Sequence, residues 1–196
     1  MKIAVSACLL GENCKYNGGN NYTEKVMKFV ENHEVISVCP EVLGGLSTPR
    51  EPAEIVKGAV LNKKGESVDK EFRLGAEIAM NIVKEQQAEL VILQSRSPSC
   101  GVKSVYDGSF SGKLISGQGV FAELLQKNGI KVIDVEDLQE VNWRQIKMLL
   151  VYIRSRWLYI RKNPFFYVCD GGLCFDYIKD CEEIYKINVA KSVKNY

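Results

Sequence analysis

Short apolar runs recur along the first part of the chain and alternate with segments of helical periodicity. The runs have the length and β-branched composition of buried strands, and they are Lys2–Ala7, Glu34–Cys39, Glu89–Gln94 and Ile130–Val135. Apolar residues at three- and four-residue steps predict helices at Tyr22–Asn32, Glu71–Gln87 and Val120–Lys127. Buried strands that alternate with helices indicate a Rossmann-like α/β fold, a parallel sheet flanked by helices.

The remaining stretches predict smaller features. Ile55–Leu61 predicts a short strand followed by a turn at 62–65, and the Gly- and Ser-rich stretch Tyr106–Gly119 predicts a turn or small hairpin. Composition then changes, because residues 142–196 hold 10 of the 26 basic, 5 of the 24 acidic and 11 of the 18 aromatic residues. We therefore expect a domain at 1–141 and a basic, aromatic-rich, mainly helical extension at 142–196.

Composition excludes several classes of protein. The 196-residue chain is 46% hydrophobic and 26% charged, as ordinary globular proteins are, which excludes a disordered scaffold. No apolar run approaches the ~20 residues of a membrane span, and the N-terminal segment lacks the apolar core of a secretory signal. We therefore expect a cytoplasmic protein. A net charge of +2 is too small to predict nucleic-acid binding.

Cysteine usage is the first indication of chemistry. Seven cysteines, an odd number without a secretion signal, argue against a disulfide framework and favour metal binding or thiolate chemistry. Cys8, Cys39 and Cys100 each follow the carboxyl end of a predicted strand, where open parallel sheets bind ligands. Any one of them could be a buried core residue. Three cysteines at strand ends, each near Gly or Pro, favour one common site over three separate core positions.

The loops that carry these cysteines read SACLLGENCKYNGG, VCPEVLGGLSTPREPAEI and SRSPSCG. With YDGSFSGKLISGQGVFAELLQKNGIKVI downstream, they resemble the TudS-like thiouracil desulfidase family (DUF523) over roughly residues 1–140. The resemblance implies a [4Fe–4S] cluster held by Cys8, Cys39 and Cys100 only. It also implies that the fourth iron binds the sulfur of a thiolated nucleobase, and that iron–sulfur assembly machinery is a partner.

The resemblance implies an activity as well. Members of the family hydrolyse 2- or 4-thiouracil or 4-thiouridine monophosphate to the oxo base and sulfide, and their catalytic pair falls on Glu41 and Ser97. Water would attack the ring carbon with Glu41 as general base. By itself, Glu41 is more often a solvated acid or a helix cap, and Ser97 part of a Ser/Thr turn.

Other polar side chains of the same loops are candidates for substrate binding. Lys15, Arg50 and Arg96 suit a substrate phosphate, although ordinary surface pairing explains them equally well. Ser99 is a further candidate, with support of a turn as its alternative role. Free base and nucleotide are both open as the substrate, as are monomer and oligomer.

Four cysteines have no assigned role. Cys14 stands where many relatives carry an apolar residue, and as a fourth ligand it would close the cluster and prevent hydrolysis. Cys169, Cys174 and Cys181 form a weak metal motif that suits a packed core equally well. The basic, aromatic stretch 142–163 predicts a helix that docks on the domain or a second subunit, or lies on a membrane or nucleic acid.

Two rival functions use the same residues. A non-catalytic iron–sulfur module that senses oxygen or redox state would need the cysteines, but it would gain little from Glu41 and Ser97. A metal-free sulfurtransferase would use Cys39 or Cys100 as a covalent nucleophile. Turnover that depends on Glu41 would separate the enzyme from the sensor, and activity that survives iron chelation would favour the sulfurtransferase.

Overall fold

The computed structural model describes residues 1–138, in which strands alternate with helices. The strands are β1 (Lys2–Ser6), β2 (Glu34–Val38), β3 (Ala53–Val56), β4 (Ala59–Asn62), β5 (Leu90–Leu93), β6 (Ser104–Tyr106), β7 (Leu114–Ser116) and β8 (Val132–Asp134). The helices are α1 (Glu24–Val30), α2 (Pro40–Leu43), α3 (Asp69–Glu85) and α4 (Val120–Lys127). The predicted C-terminal extension, with Cys169, Cys174 and Cys181, lies outside the described residues.

The central sheet confirms the predicted α/β architecture. Its four parallel strands lie in the order β2-β1-β5-β8. The chain passes from β1 to β2 on one side and then crosses to β5 on the other, so the winding direction changes between β1 and β5. Open sheets of this kind bind ligands beyond the carboxyl ends of the strands at such a point. Within residues 1–138, no helix is long and apolar enough to cross a membrane.

Both faces of the sheet are buried at the inner strands β1 and β5, which explains why these two strands are nearly continuous apolar runs. Successive side chains of a strand point to opposite faces. One face packs on α3 and α4 through Ala4, Val91 and Leu93. The other face packs on α1 through Ile3, Val5 and Ile92. This packing fixes the strand ends from which the cysteine loops emerge.

Two antiparallel hairpins are added to the sheet. β6 and β7 form the hairpin expected in Tyr106–Gly119. The prediction of one strand over Ile55–Leu61 is wrong, because β3 and β4 pair with each other around a turn at Lys57 and Gly58. Both turn residues have left-handed φ angles, 50° and 87°, which suit the tight turn between antiparallel strands.

The short helix α2 was not predicted, and it lies directly on α3. A Cβ atom added at Gly75 would stand 1.8 Å from the Pro40 carbonyl oxygen, and one added at Gly44 would stand 2.0 Å from the Glu71 carbonyl oxygen. Two glycines therefore allow backbone-to-backbone contact between the helices. This contact fixes α2, and with it the segment that follows β2.

Candidate active site

A cavity of about 620 Å³ opens beyond the carboxyl ends of β1, β2 and β5. The structure brings together there the three cysteines that follow these strands and both members of the predicted catalytic pair. The residues concerned are Cys8, Cys39, Cys100, Glu41 and Ser97, and the Cys14 side chain joins them. These side chains come from three separate loops, so only the fold assembles them.

The first loop presents Cys8 from a 3-10 turn at Ala7–Leu10. Asn21 holds Cys8 in place through two hydrogen bonds. The Asn21 backbone N–H donates to the Cys8 carbonyl oxygen at 2.9 Å, and the Asn21 side-chain amide donates to Cys8 Sγ at 3.7 Å. Cys14 lies further along the same loop and is buried, whereas Cys8 is half-buried. The loop therefore contributes two thiols to the cavity.

The second loop presents Cys39 and Glu41 at the start of α2. Cys39 is the N-cap residue and Pro40 the first helical residue, a position that proline favours because its missing N–H would have no partner there. Glu41 then falls in the first turn. The contact between α2 and α3 holds this turn, so the spacing of Cys39 and Glu41 is fixed by the fold.

The third loop presents Cys100 and is attached to the N-terminus of α4. The N–H groups of Gly119, Val120 and Phe121 donate to the carbonyl oxygens of Gly101, Pro98 and Ser99 at 2.8–2.9 Å. Within the loop, Ser97 Oγ accepts from the backbone N–H groups of Ser99 at 3.0 Å and Cys100 at 3.2 Å. These hydrogen bonds hold the Ser97 hydroxyl in a fixed position within the loop.

Arg50 holds the Glu41 carboxylate in one orientation. Its Nε and Nη2 both donate to Glu41 Oε2, at 3.0 and 2.5 Å, and the Arg50 side chain is only 9% exposed. Its other N–H groups donate to the carbonyl oxygens of Cys14 and Ser47 and to Thr48 Oγ1. A guanidinium has five N–H donors, so all of them are used within the protein. Arg50 has no donor left for the substrate phosphate that the sequence analysis expected it to bind.

Ser97 completes this arrangement on the other carboxylate oxygen. Its hydroxyl donates to Glu41 Oε1 at 3.3 Å. Because two backbone N–H groups already donate to the Ser97 oxygen, its proton is directed at Glu41. Glu41 Oε2 is thus committed to Arg50, while Oε1 faces Ser97 and keeps acceptor capacity for a further donor.

Contacts between thiols, together with burial, raise the pKa of Cys14, Cys39 and Cys100. The hydrogen bond with Cys39 lowers the pKa of Cys14, but contact with Cys8 and burial outweigh it and raise that pKa to about 11. The hydrogen bond with Cys14 and burial raise the pKa of Cys39, and burial raises that of Cys100. These thiols are therefore protonated at neutral pH, and their thiolates form only where a cation compensates the charge.

The donor set suits an iron–sulfur cluster, because it consists of thiols. Among the described residues, no group of three or more His, Cys, Asp or Glu side chains forms a site for one ion. Thiolates are the ligands of iron–sulfur clusters, and His33, the one histidine of the chain, does not line the cavity.

The other predicted substrate contacts are placed differently from one another. Lys15 lines the cavity, with its Nζ 5.8 Å from the centre of the Tyr16 ring. Arg96 also lines the cavity but pairs with Glu136. Ser99 is fully buried, does not line the cavity, and has a hydroxyl without a hydrogen-bond partner. Of the three basic candidates Lys15, Arg50 and Arg96, only Lys15 has no carboxylate partner in the described part of the chain.

Two cavity residues were not singled out from the sequence. Lys63 lies just after β4, in what was expected to be an ordinary turn, and Glu54 lies on β3. Both lie just outside the single strand that was predicted over Ile55–Leu61, at the two ends of the hairpin. If the turn at Lys57 and Gly58 had been recognised, the segment would have been predicted to fold back over the strand ends. Lys63 and Glu54 would then have been candidates for the site.

Comparisons with known proteins identify the family of the chain. Residues 3–137 match the 2-thiouracil desulfurase family. The uncharacterized protein YbbK of Bacillus subtilis (strain 168) is 42% identical in an alignment of 149 positions that covers 71% of this chain and 99% of that protein. The solved structure of the [4Fe-4S]-dependent thiouracil desulfidase TudS matches with a TM-score of 0.67 and 36% identity, over 74% of this chain and 97% of that one. The chain therefore belongs to the 2-thiouracil desulfurase family, a family of desulfidase enzymes.

Proposed function

We propose that the protein hydrolyses a thiolated pyrimidine, such as 2-thiouracil, 4-thiouracil or 4-thiouridine monophosphate, to the oxo base and sulfide. Cys8, Cys39 and Cys100 would hold a [4Fe–4S] cluster. One observation carries the proposal: three thiols from three strand ends share a cavity with a glutamate that a buried arginine orients. The [4Fe-4S]-dependent desulfidase TudS, at 36% identity, supports the choice of cofactor.

The cofactor and the protein contribute different chemistry. When bound by three cysteines, the cluster supplies an iron without a protein ligand, a Lewis acid for the soft sulfur of a thiocarbonyl. The protein supplies the site for water and the groups that take its proton. Exchange of sulfur for oxygen changes no oxidation state, so no electron donor is required.

Glu41 Oε1 is the atom that takes the proton. Because Arg50 occupies Oε2, a water molecule in the cavity meets Oε1, which accepts its proton as the oxygen attacks the ring carbon. Ser97 donates to the same oxygen and fixes the direction in which the remaining lone pair points. The proton is then available for the departing sulfur, as hydrosulfide.

Lys15 and Lys63 are the proposed contacts of a substrate phosphate. Both line the cavity, and neither forms an ion pair within residues 1–138. Arg50 and Arg96 are engaged with Glu41 and Glu136, so we keep Lys15 from the predicted contacts and add Lys63 in place of the two arginines. A nucleotide substrate would use both lysines, whereas a free base would need neither.

The metal-free sulfurtransferase has weaker support from the same structure. A cysteine that attacks as a nucleophile needs a thiolate at neutral pH. The pKa values of Cys39 and Cys100 are raised instead, in Cys39 first by its hydrogen bond with Cys14 and in Cys100 by burial. Both thiols suit metal ligation better than free nucleophilic attack.

The test is an anaerobic assay of the reconstituted full chain with 2-thiouracil, 4-thiouracil and 4-thiouridine monophosphate. We expect sulfide and the oxo base in equal amounts, and loss of activity when iron is chelated. Glu41→Gln should retain its iron and lose turnover by about 100-fold or more. Activity that survives chelation would support the sulfurtransferase, and a cluster without turnover on any substrate would support the sensor.

A further inference from the structure

Glu54 is a buried carboxylate that the proposed chemistry does not use. It lies on β3, is only 8% exposed, and lines the same cavity as the cysteines. Its Oε2 accepts the backbone N–H of Phe110 at 3.0 Å. Within residues 1–138, no Lys or Arg forms an ion pair with it. A carboxylate in such a place normally has a compensating partner, because burial without one is costly.

The second oxygen of Glu54 is available to a ligand. Among the described residues, two fully buried side-chain polar atoms have no hydrogen-bond partner, His33 Nδ1 and Ser99 Oγ. Glu54 Oε1 also has no hydrogen-bond partner there, but it is not fully buried. Glu54 is one of the residues that line the cavity. One carboxylate oxygen is thus structural and the other is an open acceptor.

Aromatic side chains accompany this acceptor. Tyr106 and Phe110 both line the cavity and are partly buried. Phe110 has a left-handed φ of 56°, a conformation that non-glycine residues rarely adopt unless it is held. The hydrogen bond to Glu54 holds it, and nearby Gly108 lies close against β3, where an added Cβ would stand 2.7 Å from the Ile55 carbonyl oxygen. The fold therefore fixes flat apolar surfaces beside an open carboxylate oxygen.

We infer that Glu54 recognises the substrate ring: its Oε1 accepts a ring N–H of the pyrimidine, which lies against Tyr106 and Phe110. The inference rests on the proposed function and deepens it, since it names the substrate class as planar lactams or thiolactams that carry an N–H. A carboxylate only accepts hydrogen bonds, so rings that present a donor are selected. Rings that present only acceptors or methyl groups are rejected.

Glu54→Gln separates recognition from a structural role. Glutamine retains an oxygen for the Phe110 N–H but replaces the other oxygen with an NH₂ group, a donor that opposes a ring N–H. Glu51→Gln is the matched control, because Glu51 lines the same cavity but pairs with Lys64 at 3.1 Å. Thermal unfolding of both variants should match that of the unmodified protein.

The probe is uracil, which has the ring N–H groups but no sulfur, so its binding does not depend on desulfidation. By calorimetry on the cluster-loaded protein, we expect Glu54→Gln to weaken uracil binding about 10-fold or more, and Glu51→Gln to leave it unchanged. 1,3-Dimethyluracil, which lacks both N–H groups, should bind more weakly and equally to the unmodified protein and to Glu54→Gln. For thiouracil, the loss should appear in KM with an unchanged iron content.

The outcomes distinguish this inference from the proposed function. Equal uracil binding by Glu54→Gln and the unmodified protein, or no uracil binding at all, would overturn the role of Glu54 even if sulfide is released. Uracil binding that depends on Glu54, in a protein that releases no sulfide, would support the recognition site and overturn the desulfidase proposal. A fall in melting temperature with unchanged uracil affinity would show that Glu54 only supports Phe110.

Discussion

Arg50 approaches Glu41 from one side only, with Nε and Nη2 both on Oε2, so that Oε1 stays open to Ser97 and the cavity. The same guanidinium bonds to the Cys14 carbonyl oxygen. Arg50 therefore connects the first cysteine loop to Glu41 in the second. We regard it as a positioning residue, because it acts on the reaction through Glu41.

Arg50→Lys should therefore impair catalysis without loss of iron. A lysine ammonium cannot replace two parallel N–H donors on one oxygen and reach the other three acceptors as well. We expect kcat to fall about 100-fold with little change in KM, because a small displacement of a catalytic group lowers the rate by about this factor. Arg73→Lys is the control, since Arg73 pairs with Asp69 on α3 and does not line the cavity. Equal kcat in the two variants would contradict the positioning role.

Ser97→Ala should affect both stability and turnover. The change removes the acceptor of two backbone N–H groups, those of Ser99 and Cys100, as well as the donor to Glu41. We expect urea unfolding to show a loss of about 1–3 kcal/mol, with kcat reduced about 10-fold or more. Ser97→Thr keeps the hydroxyl and should recover most of both. Loss of stability in Ser97→Ala with kcat unchanged would limit Ser97 to a structural role.

Gly75→Ala should destabilise the protein although alanine is the better helix former. In an exposed helix interior the substitution stabilises by about 1 kcal/mol, but here the new Cβ would stand 1.8 Å from the Pro40 carbonyl oxygen. α2 must move, and overpacking of this kind costs about 1–3 kcal/mol. Because α2 carries Glu41 and directly follows Cys39, iron content and kcat should fall as well. Stabilisation by Gly75→Ala, measured by urea unfolding, would contradict the close contact.

The ion pair of Asp69 with Arg73 should make stability depend on pH at the acid end. The hydrogen bond from Arg73 first, and that from the Val60 N–H, lower the pKa of Asp69 below its usual value of 3.8. This stabilisation is complete above the unfolded-state pKa and is lost as pH falls through the lower folded-state pKa. Asp69→Asn keeps an acceptor for Val60 and removes the charge. Urea unfolding should therefore show a difference between the two proteins at pH 7 that shrinks toward pH 3; a constant difference would exclude the linkage.

Much of the fold was predictable because burial on both faces of a parallel sheet produces apolar runs that are easy to recognise. The limits of β1, β2, β5 and β8 agree with the predicted runs to within two residues at each end, and α4 agrees at both ends. The hairpin of β3 and β4 was missed because VKGAV continues an apolar pattern through its turn. Gly58 was the one signal of a reversal.

The partners of the polar site residues could not be predicted, since they depend on contacts between loops distant in sequence. Arg50 and Glu41 are nine residues apart in the chain, but the orientation of the guanidinium also depends on Cys14. The burial of Ser99 and the cavity positions of Lys63 and Glu54 likewise follow from how hairpin and loops pack. Strand ends are local features of a sequence, whereas hydrogen-bond partners are not.

The central claim is that Cys8, Cys39 and Cys100 hold the cluster, while Cys14 lies beside it without being a ligand. The most direct test is to count iron after anaerobic reconstitution of the four single Cys→Ala variants. We expect about four irons per chain in the unmodified protein and in Cys14→Ala, with sulfide release from thiouracil in both. Cys8→Ala, Cys39→Ala and Cys100→Ala should lose the cluster and the activity. Loss of iron in Cys14→Ala, or a full cluster in any of the other three, would contradict the assignment.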